Sequence, residues 1–242
     1  MPVVVLANPK GGVGKSTSAL VLGTTLADLG LRVSIIDADP RRVLVDWRRN
    51  GTSRNAALIV GDASERTIVG LIETAAARDQ VVFVDLEGAA SRLVSRAISR
   101  ADLVVVPIQG TGLDSRAAGN VLGMIVEEEE VYGRSIPSRV LFTRTSVRIP
   151  TRIERLIQAS LRDEAIPCFG THLHQRQAFN AMFVERLSLA ELDEREVSGL
   201  VQARENAEAL AHELVAVLRH DAARPAAAGA GACQAAQGSV RR

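Results

Sequence analysis

Lysine is nearly missing from this 242-residue chain: of 29 basic residues only Lys10 and Lys15 are lysine, and all the others are arginine. Aromatic residues are scarce as well, at 3%. That scarcity excludes the stacking platforms that hold single-stranded nucleic acid and leaves the core to Val, Leu, Ile and Ala, which suits parallel strands covered by helices. The two cysteines, Cys168 and Cys233, match no metal-binding spacing. No apolar run approaches the ~20 residues needed to span a bilayer, and the N-terminus carries no signal-peptide pattern, so a soluble, reducing, cytoplasmic setting is expected. Excess charge is also lacking. A net charge of +1 with the signs evenly mixed excludes a strongly basic DNA-binding monomer. Any DNA affinity has to come from arginines clustered locally, as dimerisation would do.

What is present is concentrated. Both lysines fall in one stretch, Lys10-Gly11-Gly12-Val13-Gly14-Lys15-Ser16-Thr17. A compact ammonium does there what a planar guanidinium cannot, inside a tight loop wrapped around phosphate oxygens. The apolar run 3–7 ahead of it reads as a buried parallel strand. Residues 18–29 behind it place Ala19, Leu22, Gly23, Leu26 and Leu29 on one helical face. Strand, glycine-rich turn, Lys-Ser pair and helix in that order make a P-loop. In it the N–H groups of residues 12–17 face bound anion, Lys15 reaches the β/γ-phosphates of ATP and the Ser16 hydroxyl ligates Mg²⁺. Gly11, Gly12 and Gly14 let the backbone approach the phosphates. The usual first glycine of the motif is replaced by Pro9.

Two more apolar segments end in carboxylates: Val33-Ser34-Ile35-Ile36-Asp37-Ala38-Asp39-Pro40 and Val81-Val82-Phe83-Val84-Asp85. Parallel strands present ligands at their carboxyl ends, so Asp37, Asp39 and Asp85 are expected on the edge of the sheet that carries the P-loop. There they would hold the water shell of Mg²⁺ or orient an attacking water. A single strand-terminal Asp is more often a helix cap, but capping does not readily explain three that converge.

With these motifs in hand, the chain resembles the deviant Walker A ATPases of the ParA/MinD type. The extra Lys10, the Asp37-Ala38-Asp39-Pro40 motif and Asp85 carry the likeness. It continues through 102–107, 113–119, 141–144 and 174–179 and so covers about residues 1–190. It is closest to the short plasmid-partition branch and to the related ATPase of the T-DNA transfer system. The resemblance implies an ATP-dependent homodimer in which Lys10 crosses to the partner's nucleotide, Asp39 positions the hydrolytic water, and Asp37 and Asp85 act on Mg²⁺ from its outer shell. It also implies adenine contact near Thr143 and Arg144, a DNA-contacting arginine at Arg176, nonspecific binding of double-stranded DNA, and hydrolysis stimulated by a small ParB-like or ribbon-helix-helix centromere-binding protein. The Arg41-Arg42 pair departs from the glutamine frequent after this motif.

Apolar strands are expected at 3–7, 32–37, 57–60, 81–85, 103–107 and 139–143, alternating with amphipathic helices. This predicts a doubly wound α/β domain with a mainly parallel sheet over 1–220. Helices are expected from about 114 to 130 and from 194 to 219, and the Ala- and Gly-rich residues 221–242 are expected to be a disordered tail. With only seven residues ahead of Asn8, an N-terminal operator-binding domain is not expected. The run Glu127–Glu130 reads as a solvated face, Trp47 as a packing anchor, and His172 and His174 as too sparse for a metal site. Two other functions share this architecture. A MinD-like positioning switch needs a bulky, basic amphipathic C-terminal helix, which residues 225–231 do not supply, and this argues against a membrane partner. An amidase or ligase of the cobyrinic-acid type needs a dedicated substrate pocket or an appended amidotransferase domain with a nucleophilic cysteine, and Cys168 has no evident His partner or extra domain.

Overall fold

The apolar runs build one sheet. In a computed structural model, which describes residues 1–88, 91–147 and 149–223 (backbone alone for 112–118), seven strands lie parallel. They are β1 (Val3–Leu6), β2 (Val33–Ala38), β3 (Leu58–Val60), β4 (Val81–Leu86), β5 (Leu103–Gln109), β6 (Ser138–Thr145) and β7 (Leu173–His174). Their order is β3-β2-β4-β1-β5-β6-β7. The helices are α1 (Lys15–Asp28), α2 (Val43–Asn50), α3 (Ile68–Arg78), α4 (Arg92–Ile98), α5 (Gly112–Tyr132), α6 (Arg152–Asp163), α7 (Gln177–Glu185) and α8 (Leu200–Ala223).

Alternate side chains of a strand point to opposite faces, and here both faces are apolar because both are covered. Val4, Leu6, Phe83, Leu103 and Val105 enter one core with the buried sides of α1, α2, α7 and α8. Val3, Val5, Val82, Val84, Val104 and Val106 enter the other, with α3, α4, α5 and α6. Helix α1 lies unusually close to the sheet, because a Cβ on Gly23 would stand 2.5 Å from Ile35 Cδ1. That approach sets the start of α1 above the middle strands.

The expected strands and the P-loop helix are all present, with their ends moved by a residue or a few. Strand β7 has no counterpart among the expected strands: two residues carry no periodicity, and the pairing depends on β6 lying beside them. The last helix begins at Leu200 instead of 194. The Arg204 guanidinium ties the preceding segment into a turn by donating to the carbonyls of Leu189 (2.8 Å) and Leu192 (3.1 Å). The expected disordered tail, including Cys233, lies beyond residue 223 and so outside the described residues, apart from 221–223, which continue α8.

Candidate nucleotide site

β1 stands between β4 and β5, while the chain leaving β1 leads to β2 on one side and the chain leaving β4 crosses to β5 on the other. A crevice therefore opens at the carboxyl end of β1, where α/β sheets of this kind bind ligands. The P-loop fills its floor and is gripped from neighbouring strands. Asn8 Nδ2 donates to Pro107 O (2.8 Å), and Asn8 Oδ1 accepts from Lys10 N (2.8 Å). Gln109 Nε2 donates to Gly12 O (2.6 Å). Gly12 and Gly14 have φ of +77° and +96°, a region that side chains strain to enter. Gly14 is also the N-cap of α1 and offers no side-chain cap, so the first N–H groups of the helix face the loop. Gly11 has neither constraint, and a Cβ there would meet nothing within 4 Å.

Lys15 is buried, and its ammonium lies inside the curve of the loop, donating to Asn8 O (3.0 Å) and Lys10 O (3.2 Å). Burial lowers its pKa, while the nearby Asp85 and Asp39 carboxylates pull it back up. Asp37 and Asp85 are register partners on β2 and β4, so the three predicted acids do gather at the P-loop edge. They are not equivalent there. Asp37 Oδ2 accepts from Leu44 N (2.9 Å) and Val45 N (3.0 Å), capping α2, and Asp39 Oδ1 accepts from Arg41 N (2.9 Å) in a local turn. Capping thus accounts for one of the three and a local turn for a second. Asp85 is 1% exposed, and both its oxygens are buried with no hydrogen-bond partner. Burial pushes its pKa up to about 7; the Ser16 hydroxyl and Lys15 draw it down in part, though Ser16 does not reach hydrogen-bonding geometry.

The crevice continues beside β6 as a cleft of about 170 Å³, lined by Gly14, Thr17, Thr143, Arg144, His174 and Arg176 together with Gln175, Phe179 and Asn180. Thr143 is fully buried, and its hydroxyl lies 2.7 Å from Val13 O and 3.0 Å from Ile108 O, so its one proton is spent on the loop. Arg144, at φ +53°, is the bulged residue where the β6–β7 register shifts, and its side chain is exposed. Arg176 lines the same cleft, with a buried and unpartnered Nε. His174 shares a hydrogen bond with Thr145 (2.8 Å). Burial, then His172 and Arg176, lower its pKa.

Several of these residues give no signal in the sequence. Asn8, Gln109 and Asn180 belong to no motif, and Gly88 matters only because a Cβ there would stand 2.6 Å from Pro9 O, beneath the loop. Two arginines nearer the C-terminus are already engaged: Arg204 with the 189–192 turn and Glu194, and Arg186 with Asp46.

A model of the VirC1 protein family matches residues 1–218. The chain belongs to that family. Protein ParA of Rhizobium radiobacter is 41% identical over 211 residues, covering 87% of this chain and 95% of the relative. Protein virC1 of the same organism is 28% identical over 187 residues, 75% of this chain and 80% of the relative. Among solved structures, a Cyanothece McdA variant in complex with ATP has a TM-score of 0.67 at 16% identity, over 89% of this chain and 96% of the other, which shows the shared fold. The chain thus stands with the VirC1 and ParA proteins and shares the fold of that McdA structure. No helix among the described residues is long and apolar enough to cross a membrane.

Proposed function

We propose that the chain is a Mg²⁺-dependent ATPase of the partition type, which dimerises over ATP, binds duplex DNA without sequence preference and leaves it when a centromere-binding partner stimulates hydrolysis. The observation that carries this reading is Asp85. Two carboxylate oxygens buried beside Lys15 and Ser16, with no donor, suit a hydrated hard cation better than any packing role. Mg²⁺ bound there would neutralise charge on the β- and γ-phosphates. The open N–H groups of α1 and the Lys15 ammonium bind and orient the triphosphate. Ser16 is the proposed direct Mg²⁺ ligand, and Asp37 and Asp85 hold its water shell. Asp39, half-buried and nearer the mouth, orients the attacking water. Lys10 reaches the partner's phosphates across the dimer. The cleft walled by Gln175, Phe179 and Asn180 takes the base, with Thr143 shaping the loop beneath it and Arg144 at its rim.

DNA binding tests the reading as a whole. A two-fold dimer doubles whatever arginine patch each protomer presents, so affinity for random-sequence duplex should appear with ATP and not with ADP or without nucleotide. Arg176→Ala should lower the salt slope by about one for each phosphate it no longer neutralises, and weaken all sequences alike. Tight binding by the nucleotide-free monomer, or none in any state, would count against partition. The same site also serves a transfer ATPase of the T-DNA type. A neighbouring gene for a small DNA-binding protein that stimulates hydrolysis decides for partition.

A further inference from the structure

Helix α2 joins the two halves of this site. At its start, Leu44 N and Val45 N donate to the Asp37 carboxylate, so that carboxylate moves with α2; Arg42 N donates to the main-chain carbonyl of Asp39 (2.9 Å) and Arg41 N to its carboxylate (2.9 Å), so Asp39 is held by the turn that leads into the helix. Arg42 opens the helix at φ +51°, a conformation a non-glycine residue holds only at a cost. Along one side, α2 and the glycine that follows it dock on the last turn of α7 and its C-cap through three separate contacts. Trp47 Nε1 donates to Met182 O (2.7 Å), a carbonyl of the last turn of α7, where the intrahelical ladder runs out. Asp46 meets Arg186 at 3.2 Å. Gly51 passes so close that a Cβ would stand 2.7 Å from Arg186 Cβ and 2.8 Å from Arg186 O. The first turn of α7 carries Phe179 and Asn180, which wall the cleft. Arg48 stiffens the link by donating to Ser53 O (3.1 Å) and Asn55 O (2.8 Å) while lying 5.2 Å from the Trp47 ring centre.

We propose that Trp47 is a positioning residue, coupling occupancy of the β6–α7 cleft to Asp37 and Asp39 through α2. The inference rests on the nucleotide reading above. A base seated against α7 restrains that helix. Its last turn then restrains Trp47, and α2 holds the two acids in the arrangement that receives the hydrated cation. A triphosphate without a base fills the P-loop but leaves α7 and α2 unrestrained. The site would in this way distinguish a complete nucleotide from inorganic polyphosphate.

The test titrates Mg²⁺-dependent binding of ATP and of inorganic tripolyphosphate by calorimetry, corrected for Mg²⁺ bound to free ligand. It uses the full chain, Trp47→Phe, and Asp46→Arg, an exposed change that opposes Arg186 without entering the core. In the parent, Mg²⁺ should tighten ATP about tenfold more than it tightens tripolyphosphate, an ordinary size for coupling between sites. In Trp47→Phe this excess should fall to about twofold or less, with tripolyphosphate binding unchanged. A defect of folding alone would weaken both ligands alike. If Trp47→Phe does not fold, Asp46→Arg carries the same comparison. As the only tryptophan of the chain, Trp47 should also shift its emission with Mg²⁺-ATP and not with Mg²⁺-tripolyphosphate. Equal Mg²⁺ effects on the two ligands in the parent, or an excess that survives in the folded variant, overturn the coupling. Failure of the parent to bind either ligand overturns the nucleotide reading and the coupling with it, so the two failures look different.

Discussion

On the phosphate side of the crevice the loop is held at nearly every turn: Gly12 and Val13 carbonyls receive Gln109 and Thr143, Asn8 braces Lys10, and Lys15 closes the ring. On the proposed base side, β7 is two residues long, Arg144 sits in a left-handed bulge, and Arg176 keeps an unmet Nε. The phosphate side is built from one continuous octapeptide and the strand ends beneath it, the base side from segments far apart in the chain. Preorganised backbone donors around a fixed cation should supply most of the affinity, and an open cleft should add selectivity at a smaller energy.

The largest effect should separate the two sides most clearly. Lys15→Ala should weaken ATP binding more than about 100-fold, because the triphosphate loses its enclosed cation. Asp39→Ala should leave binding within a fewfold and stop turnover. Calorimetry beside a phosphate-release assay reads both; similar losses of affinity in the two variants would erase the proposed division of roles.

Next comes the pH dependence of the nucleotide-free protein. Asp85 titrates at about 7 when folded, against an ordinary 3.8. Between those values the folded state binds the extra proton, so the stability contributed by the protonated group is complete below the lower value and is lost as pH rises through about 7. Asp85→Asn lacks this loss. In urea denaturation it should be more stable than the parent at pH 8 by up to a few kcal/mol, since each pH unit between the two values is worth about 1.4 kcal/mol, and the gap should close toward pH 4. Parallel stability curves would mean that Asp85 does not bear the burial penalty.

The smallest effect should lie on the base side. Asn180→Ala removes an exposed side chain from the cleft wall, so ATP affinity should drop by less than about tenfold, the worth of one hydrogen bond. Tripolyphosphate affinity should not change. A loss as large as that of Lys15→Ala would reverse the comparison.

The P-loop, both carboxylate strands and the parallel sheet were legible in the chain because each is local. A phosphate cradle needs glycine at left-handed positions, and a strand covered on both faces needs an unbroken apolar run. The convergence of Asp37, Asp39 and Asp85 was legible too, since parallel strands bring their carboxyl ends to one edge. Their inequality was not. Which acid is spent on capping depends on where α2 begins, and α2 is placed by Trp47 and Asp46 meeting the end of a helix more than 130 residues away. The sequence by itself determined the loop, its neighbours in the sheet and the chemistry they offer, because these follow from backbone conformation and strand order. Only the tertiary structure decided that Asp85 is the acid left unmet, that Thr143 serves the loop, and that Arg176 lines the cleft, because burial and hydrogen-bond partners are set by contacts between segments that no local pattern records.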